Sequence, residues 1–554
     1  MSSLSPQLLL VAVGTWLAWR VWKYVFGKNQ LSIVAGPPRD SMITGNMMNI
    51  FTNGTSSNEA YIDKLAKTYG SLFKIHALWN ADLLYTYDSK ALQHIVLKDQ
   101  HLWEEPDELL IMNGRTFGVG LLATLGDHHR RQRKILNPVF SIAHMRDMTP
   151  TFYSVARKLR DSLTKLNETE KEIDLLPWLT RCALEIIGQS GFGYSFDTLE
   201  IGAPEHRFGH SMKNWTAAMN NTGLLIGRFL LLPIVHNWGS RRFQRAVVDF
   251  LPWKALHEVR DMVDVMHSTS VEIFEKTKQA IKEGGIAATE RIGGGKDIMS
   301  VLVKANMLAS EEDRLPDNEL IGQVSTLTFA AMDTTSNALS RILHLLATHQ
   351  DVQDKLRKEI QEAHFIHGEE LDYENLTALP YLDAICRETL RLHAPIPILM
   401  RVATQDAILP LANPITSTDG RVLHEVLVPK GTSILISPHH CNRDPALWGP
   451  DATEWKPERW LKPLPESLVE ARVPGVYSHL MTFLGGSRSC IGFKFAQLEM
   501  KVVLSLLVER FQFRLGDKEI MWLSNGIVQP STEDAPVTSG RKKTQIPLVV
   551  SLAA

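Results

Sequence analysis

The stretch Phe483-Leu-Gly-Gly-Ser-Arg-Ser-Cys-Ile-Gly492 carries the most specific chemistry in this chain. Its two adjacent glycines permit a tight turn and a close approach to a flat ligand. Arg488 lies two residues before Cys490, and a nearby cation favours the thiolate over the thiol. Residues 493–507 have helical character, so Cys490 also lies near a helix N-terminus, whose dipole favours an anion. The pattern indicates an anionic sulfur ligand, although a buried structural cysteine in a glycine-rich turn is the alternative.

Two charged motifs precede this stretch. Glu388 and Arg391 lie in a helix-like run, residues 381–393, at a spacing that places both on one face and lets them pair. Arg459 follows in the motif Pro457-Glu458-Arg459-Trp460. Charged pairs at this spacing are common on protein surfaces, so the motif is informative only together with the cysteine stretch.

An acid and an alcohol, Asp333 and Thr334, lie in the middle of a long helix-like run, residues 318–348. Both residue types are poor helix formers because their side chains compete for backbone hydrogen bonds. One interpretation is a solvated helix face with the threonine bonded to the carbonyl one turn back. The other is an acid–alcohol pair that transfers protons.

The order Phe-x-x-Gly-x-Arg-x-Cys-x-Gly at residues 483–492 resembles the heme-binding loop of the cytochrome P450 family, and the other motifs follow in that family's order. The resemblance implies heme b with Cys490 as the axial ligand of its iron. Phe483 would shield the sulfur, and Gly492 would leave room where the next helix starts. The resemblance further implies a buried structural triad formed by Glu388, Arg391 and Arg459.

The same resemblance assigns roles on both sides of the heme. Thr334 would hydrogen-bond dioxygen or its water, and Asp333 would relay protons to it. The residues that match propionate-binding positions are His129, Arg133, Arg401 and Arg488. His129 stands where the family has tryptophan, and Ala331 stands where it usually has glycine. We therefore expect an altered propionate contact and a slightly narrower oxygen pocket.

The implied reaction inserts one oxygen atom from dioxygen into a lipophilic small molecule. The electrons would come from NADPH through a separate membrane-bound reductase, since too few residues follow Cys490 for a fused one. Candidate docking residues, which fit a solvated surface equally well, are Arg130, Arg131, Lys134 and Lys494. The chain resembles basidiomycete microsomal members, which favours a secondary metabolite such as a terpenoid as substrate.

The segments that would line the substrate pocket are Trp103–Leu122, Met212–Trp238, Ser325–Thr334 and Pro395–Met400. Two other functions compete with monooxygenation. A family member acting as an isomerase or dehydratase without dioxygen needs no proton relay, so Asp333 and Thr334 argue against it. A non-catalytic heme-binding sensor has no need of both the ligand loop and the relay.

The N-terminal segment predicts a membrane anchor over residues 1–27. Its apolar run, Leu8–Phe26, has nearly the ~20 residues that span a bilayer, and the basic residues Arg20, Lys23 and Lys28 lie in its second half or just after it. This arrangement predicts a single pass through the endoplasmic reticulum membrane with the body in the cytosol. A cleaved signal peptide is the alternative, but such peptides carry their charge before the apolar core. Residues 28–54, with Ala35-Gly36-Pro37-Pro38, would be a linker, and residues 55–554 the heme domain.

Composition supports a large globular body. Hydrophobic residues make up 44% and charged residues 22% of the 554 residues, and the formal net charge is -2. A near-neutral chain argues against a nucleic-acid binder, and four widely spaced cysteines argue against a disulfide framework. Helical periodicity dominates with a few short strands, which predicts a mainly α fold with small β-sheets. The clearest predicted helices are 60–69, 144–166, 177–188, 318–348 and 351–364, and the strands are 71–76, 82–87, 422–428 and 433–436.

Overall fold

The computed structural model describes residues 15, 30–42, 44–51, 56–77, 81–219, 221–284, 295–538 and 541–553. Helix dominates this part of the chain and small sheets lie beside it, as the sequence predicts. The helices are α1 (Met47–Phe51), α2 (Ser56–Tyr69), α3 (Ser89–Gln93), α4 (Asp107–Thr116), α5 (Gly126–Leu136), α6 (Ile142–Asn167), α7 (Leu175–Ile186), α8 (Arg207–Met219), α9 (Thr222–Ile226), α10 (Leu232–Val235), α11 (Arg241–Phe250), α12 (Lys254–Glu283), α13 (Ile298–Leu308), α14 (Asp317–Thr348), α15 (Gln350–His367), α16 (Tyr373–Thr377), α17 (Pro380–Leu392), α18 (Pro438–Cys441), α19 (Pro445–Trp448), α20 (Glu466–Ala471) and α21 (Phe493–Arg510).

The strands form one mixed sheet and several small antiparallel ones. They are β1 (Leu72–His76), β2 (Asp82–Thr86), β3 (Trp103–Glu104), β4 (Glu172–Asp174), β5 (Leu399–Ala403), β6 (Ala407–Thr416), β7 (Val422–Val428), β8 (Ser433–Ile436), β9 (Phe511–Leu515), β10 (Ile520–Asn525), β11 (Ile527–Thr532), β12 (Val537–Thr538), β13 (Arg541–Lys542) and β14 (Pro547–Leu552). The largest sheet has the order β1-β2-β8-β5-β3, in which β2 and β8 run parallel. A second sheet has the order β4-β14-β9, and three hairpins complete the set.

Helices and strands form at the predicted segments, but their ends differ from the predicted ends by a few residues. Strands β7 and β8 have the predicted bounds, whereas α2, α6, α14 and α15 are longer than their apolar periodicity suggests. Helix ends are set by capping groups rather than by the apolar stripe. At α6, for example, Ser141 Oγ accepts a hydrogen bond from the backbone N–H of His144, so the helix begins before the first buried turn.

Helix α14 forms the centre of the fold. It packs against α7, α12, α17 and α21 and against strand β9. Most of its side chains are buried, yet Ala330 in its middle is exposed, and Ala331 and Thr334 are only half-buried. Accessible surface in the middle of an otherwise buried helix indicates an internal space beside that turn.

A fully buried ion-pair network joins α17 to the segments that lead to the cysteine loop. Arg391 Nε and Nη2 donate to the two carboxylate oxygens of Glu388 at 2.8 Å each, and both side chains have 0% exposure. Arg459 Nε donates to Glu388 Oε1 at 3.3 Å, and Trp460 Nε1 donates to Oε2 at 3.0 Å. The predicted pairing of Glu388, Arg391 and Arg459 is therefore confirmed. Satisfied partners are what make two buried charges tolerable.

The predicted membrane anchor, residues 1–27, lies outside the described residues except for Thr15. Across the described ranges, no helix combines the length and the apolar character needed to cross a bilayer. The boundaries proposed at residues 27 and 54 stay predictions.

The substitution Arg391→Met tests how much the fold depends on the buried pair. It keeps the length of the side chain but leaves the Glu388 carboxylate buried without its main partner. We expect the free energy of unfolding to fall by about 3–5 kcal/mol, the usual cost of breaking a buried pair. Denaturant titration of the purified protein would measure the change. Arg421→Met is the matched control, because the Arg421–Asp419 pair is exposed and its loss should change stability little. An equal effect of the two substitutions would contradict the central role of Arg391.

Candidate active site

Cys490 lies between a short turn, residues 486–488, and the first residue of α21. Its backbone N–H donates to Phe483 O at 2.8 Å and closes the loop. Gly492 is the N-cap of α21, and its backbone N–H donates to the sulfur of Cys490. The Cys490 side chain retains accessible surface although protein surrounds it, so the sulfur faces an internal space.

The two glycines before Cys490 allow the loop to pack against the chain itself. A Cβ on Gly485 would lie 1.5 Å from Pro474 O, and one on Gly486 would lie 1.8 Å from Val96 O. Gly486 also has φ of +67°, which favours glycine. The expected close approach to a flat ligand is thus not what requires these two glycines. At Gly492, by contrast, a Cβ would meet nothing closer than 3.8 Å, so this side of the loop is open.

The protein surroundings of Cys490 by themselves favour the thiol over the thiolate. Burial raises the pKa of the Cys490 thiol to about 11, against the lowering effect of the Gly492 N–H and of Arg133. Arg133 is a cation that acts on the sulfur, and the predicted effect of Arg488 on the thiolate stays a prediction. A metal ion that coordinates a thiol supplies the positive charge needed to deprotonate it.

Four predicted residues from three separate segments converge near the cysteine. His129 and Arg133 lie one turn apart on α5, Arg401 lies on β5 and Arg488 lies in the cysteine loop. Arg133 Nη1 donates to Ser489 O at 2.5 Å, and Arg488 Nη2 donates to Thr124 O at 2.7 Å. The structure thus brings together all four residues that the resemblance assigned to propionate binding.

This cluster contains more positive than negative charge. Glu105 is the acid within it: its Oε2 lies 3.2 Å from Arg488 Nη1, and its Oε1 lies 3.9 Å from Arg401 Nη2. Burial, then the charges of Arg488 and Arg133, lower the pKa of His129 to about 3, so its ring is neutral. Burial also lowers the pKa of all three guanidinium groups. Glu105 pairs with two of the three arginines, and Glu104 also acts on Arg488. Within the described chain, Arg133 is left without an acidic partner, so the site favours an additional anionic group.

Asp333 and Thr334 are adjacent on α14 but differ in burial and in hydrogen bonding. Asp333 is 3% exposed, and its Oδ2 has no hydrogen-bond partner in the described chain. Burial raises the pKa of this carboxyl group to about 6, and Lys213 opposes the increase. Thr334 is half-buried, and its hydroxyl donates to Ala330 O at 2.6 Å, the back-bond expected for a threonine in a helix. A solvated face is excluded for Asp333, because its side chain is buried.

An aromatic wall lies next to this turn. The rings of Phe117 and Phe329 stack with centroids 4.6 Å apart, and Trp215 contacts them at 5.0 and 5.6 Å. These rings belong to three of the four segments predicted to line the pocket, and Phe329 directly precedes the exposed Ala330. An apolar surface therefore lies beside the acid–alcohol pair.

Sequence reasoning missed two charged residues of the site. Glu105 pairs with Arg401 and Arg488, and Lys213 lowers the pKa of Asp333. Glu105 lies in a loop before Pro106, and Lys213 lies on α8 far from Asp333 in sequence. Neither belongs to a spacing pattern, so only the folded chain reveals them.

Comparisons with known proteins define first the fold and then the family. The crystal structure of the cytochrome P450 CYP102L1 superposes with a TM-score of 0.68 at 20% identity, covering 94% of this chain and 100% of that chain. The family model for cytochrome P450 matches residues 36–534. Cytochrome P450 monooxygenase 91 of Postia placenta is 47% identical over 95% of this chain and 96% of its own length. A ganoderic acid synthetase of Ganoderma lucidum is 42% identical, with 96% of each chain covered.

The chain belongs to the cytochrome P450 family and is a monooxygenase, which confirms the resemblance seen in the sequence. Family membership implies a heme. The residues present fit this group: a cysteine sulfur faces an internal space, and an excess of buried cations lies beside it to match two propionates. When bound, heme activates dioxygen, and a thiolate ligand favours O–O bond cleavage.

The pKa of Asp333 gives a test of proton delivery. Because burial raises this pKa to about 6, the protonated fraction of the carboxyl group falls as the pH rises from about 5 to 8. We expect reductase-supported NADPH oxidation to fall over that range in the wild type. Asp333→Asn should lower the rate by roughly 10²-fold and remove the inflection. The exposed Asp419→Asn should keep both the rate and the inflection. An inflection near pH 6 that persists in Asp333→Asn would contradict this assignment.

Proposed function

We propose that this monooxygenase inserts one oxygen atom from dioxygen into a lipophilic secondary metabolite such as a terpenoid, with electrons from NADPH through a separate reductase. The observation that carries the proposal is the aromatic wall of Phe117, Trp215 and Phe329 beside Asp333 and Thr334. An apolar wall suits an apolar substrate, and the acid–alcohol pair suits dioxygen chemistry, which needs protons. The ganoderic acid synthetase among the relatives supports a role in secondary metabolism.

The proposed cofactor contacts follow from the two sides of the cysteine loop. Cys490 would be the axial ligand, with Phe483 shielding the sulfur and Gly492 on the open side. The propionates would be bound by the cationic cluster, whose members are His129, Arg133, Arg401 and Arg488. Neutral His129 can donate one ring N–H, while the arginines provide charge and paired donors.

Proton delivery would begin at Asp333 Oδ2 and pass through Thr334 Oγ1. Because its pKa of about 6 lies close to neutral pH, the buried carboxyl group can take up and release a proton there. The Thr334 hydroxyl proton is engaged by Ala330 O, so its oxygen can accept a hydrogen bond while the helix keeps this geometry. Donation by Thr334 then requires its hydroxyl to rotate away from that carbonyl.

A cavity of about 420 Å³ between α4, α12 and α14 supports a route for the substrate. Its lining includes Phe117, Ile321 and Val263, with Arg115 and Arg241 as polar members. The volume is in the range of ligand pockets in proteins. A lipophilic molecule could therefore pass Phe117 on its way to the middle of α14.

An exposed apolar surface on and beside α10 and α11 supports contact with a membrane. Phe250 is 88% exposed, and the other members are Leu231, Ile234, Val235, Trp238, Phe243, Val247 and Leu251. Exposed apolar surface of this extent is typical of membrane or partner contacts. His236 and Arg241 from this region also line the cavity, so a lipophilic substrate could enter from the bilayer. We propose the endoplasmic reticulum membrane, with the anchor at residues 1–27 and the heme domain facing the cytosol.

The outer face of α5 is the proposed contact for the reductase. His129 and Arg133 turn inward, while Arg130, Arg131 and Lys134 are exposed on the other side of the same helix. Lys494 at the start of α21 is half-buried and lies near the cysteine loop. A positive surface over the heme ligand would favour encounter with an acidic partner.

The reduced carbon monoxide difference spectrum tests the ligand assignment. We expect the strongly red-shifted Soret band of thiolate-ligated heme in the wild type, because Cys490 is the cysteine that faces the internal space. Cys490→Ala should lose this band, whereas Cys182→Ala, a change at a buried cysteine, should keep it. A wild-type band at the position typical of histidine ligation would overturn the assignment.

Substitution of Thr334 tests the relay without knowledge of the substrate. Thr334→Ala removes the hydroxyl that would pass protons on, so more of the reduced oxygen should leave as hydrogen peroxide. We expect the ratio of peroxide released to NADPH consumed to rise several-fold, while Thr334→Ser, which keeps the hydroxyl, stays near the wild type. An unchanged ratio in Thr334→Ala would refute the relay role.

A further inference from the structure

Two acidic and two imidazole side chains meet where α2 contacts α18, outside the heme site. Glu59 and Asp63 lie four residues apart on one face of α2, and His439 and His440 are adjacent on α18. His440 Nε2 lies 3.0 Å from Asp63 Oδ1. His439 Nε2 lies 3.2 Å from Glu59 Oε1 and 3.9 Å from Asp63 Oδ1. The two pairs are far apart in sequence, so folding alone brings them together.

Two of these distances, 3.0 Å between His440 and Asp63 and 3.2 Å between His439 and Glu59, are close to the edge of a tetrahedral metal site. Zinc ligands at about 2.0–2.1 Å from the ion lie about 3.3 Å from one another in a tetrahedron. The donor atoms of Asp63, His439 and His440 all lie within 4.8 Å of one another. Both Nε2 atoms approach carboxylate oxygens, and that of His439 is not in hydrogen-bonding geometry with any group in the described chain. His439 is only 8% exposed, so its unbonded nitrogen points into the cluster rather than into solvent.

Contacts at the Nδ1 atom of His440 orient its ring. Its Nδ1 lies 2.7 Å from the hydroxyl oxygen of Tyr85, a buried residue of β2, and 3.3 Å from Ser437 Oγ. When Nδ1–H donates to Tyr85, the lone pair of Nε2 points at the cluster. A hydrogen bond at the far ring nitrogen is the usual support for a metal-binding histidine.

Glu59 is held at the edge of the cluster. Arg443 Nη1 donates to Glu59 Oε1 at 3.0 Å and balances part of its charge. Asp63 is half-buried, which leaves a path for an ion from solvent. Two imidazole nitrogens with carboxylate oxygen suit zinc, whereas calcium and magnesium prefer oxygen ligands alone.

We propose that Asp63, His439 and His440 bind one Zn²⁺ ion, with Glu59 or a water as the fourth ligand, and that this ion clamps α2 to α18. Four protein ligands in one closed cluster, as with Glu59 in the fourth position, are typical of a structural zinc site. The alternative is a network of ion pairs between protonated histidines and the two acids.

Metal analysis of the full-length holoprotein separates the two explanations. The protein, purified without a polyhistidine tag, is dialysed against a chelator, freed of the chelator and equilibrated with micromolar ZnCl₂. We expect about one zinc per heme in the wild type. Asp63→Asn and His440→Gln should lose this zinc, whereas His424→Gln, a change at an exposed histidine of β7, should keep it.

Thermal unfolding provides a second measurement. A bound ion stabilises the native state, so zinc should raise the midpoint of the wild type and of His424→Gln by about 2–5 °C. The midpoint of Asp63→Asn should not respond. Asp63→Asn keeps a half-buried side chain of the same size, so it serves as the test even where His440→Gln fails to fold. A chelated wild type that takes up no zinc, or equal uptake by Asp63→Asn, would overturn the proposal. Because the readout is zinc content, it does not depend on the proposed substrate or proton relay.

Discussion

The ion pair between Glu388 and Arg391 is the constraint on which the cysteine loop depends. Arg391 Nη1 donates to Asn442 O at 2.9 Å, and Asn442 Oδ1 accepts from the backbone N–H of Met481 at 2.8 Å. Two residues further on, Phe483 O accepts from the N–H of Cys490. One line of hydrogen bonds thus runs from a fully buried carboxylate to the reactive sulfur. Removing either charge would leave the other buried and unpaired, so the pair resists disruption. The hydrogen bonds that extend from it therefore hold the cysteine loop in one conformation.

Burial shifts the pKa values on the two sides of the active site in opposite directions. It lowers the pKa of the basic groups Arg133, Arg401 and Arg488 on one side, and it raises the pKa of Asp333 on the other. The basic side lacks enough acid to balance its positive charge, so it favours an additional anionic group. On the acidic side, the raised pKa of about 6 lets Asp333 exchange a proton close to neutral pH, which a relay requires.

Two separate contacts meet near Asn442. The Glu388 network reaches its backbone oxygen, and α18, which carries His439 and His440, ends at the preceding residue, Cys441. A metal clamp between α2 and α18 would therefore tie the N-terminal part of the described chain to the segment that supports the cysteine loop. This arrangement links the stability of a peripheral helix to the geometry of the central site.

The sequence by itself determined the family, the helical character and the cysteine loop, because these depend on local spacing. The i, i+3 motif at Glu388, the loop at residues 483–492 and the apolar periodicity of α14 are all readable along the chain. The tertiary structure alone decided that Arg133 acts on the sulfur, that Glu105 pairs with Arg401 and Arg488, and that His439 meets Asp63. Those contacts join residues far apart in sequence, and burial, which sets their pKa values, exists only once the chain has folded.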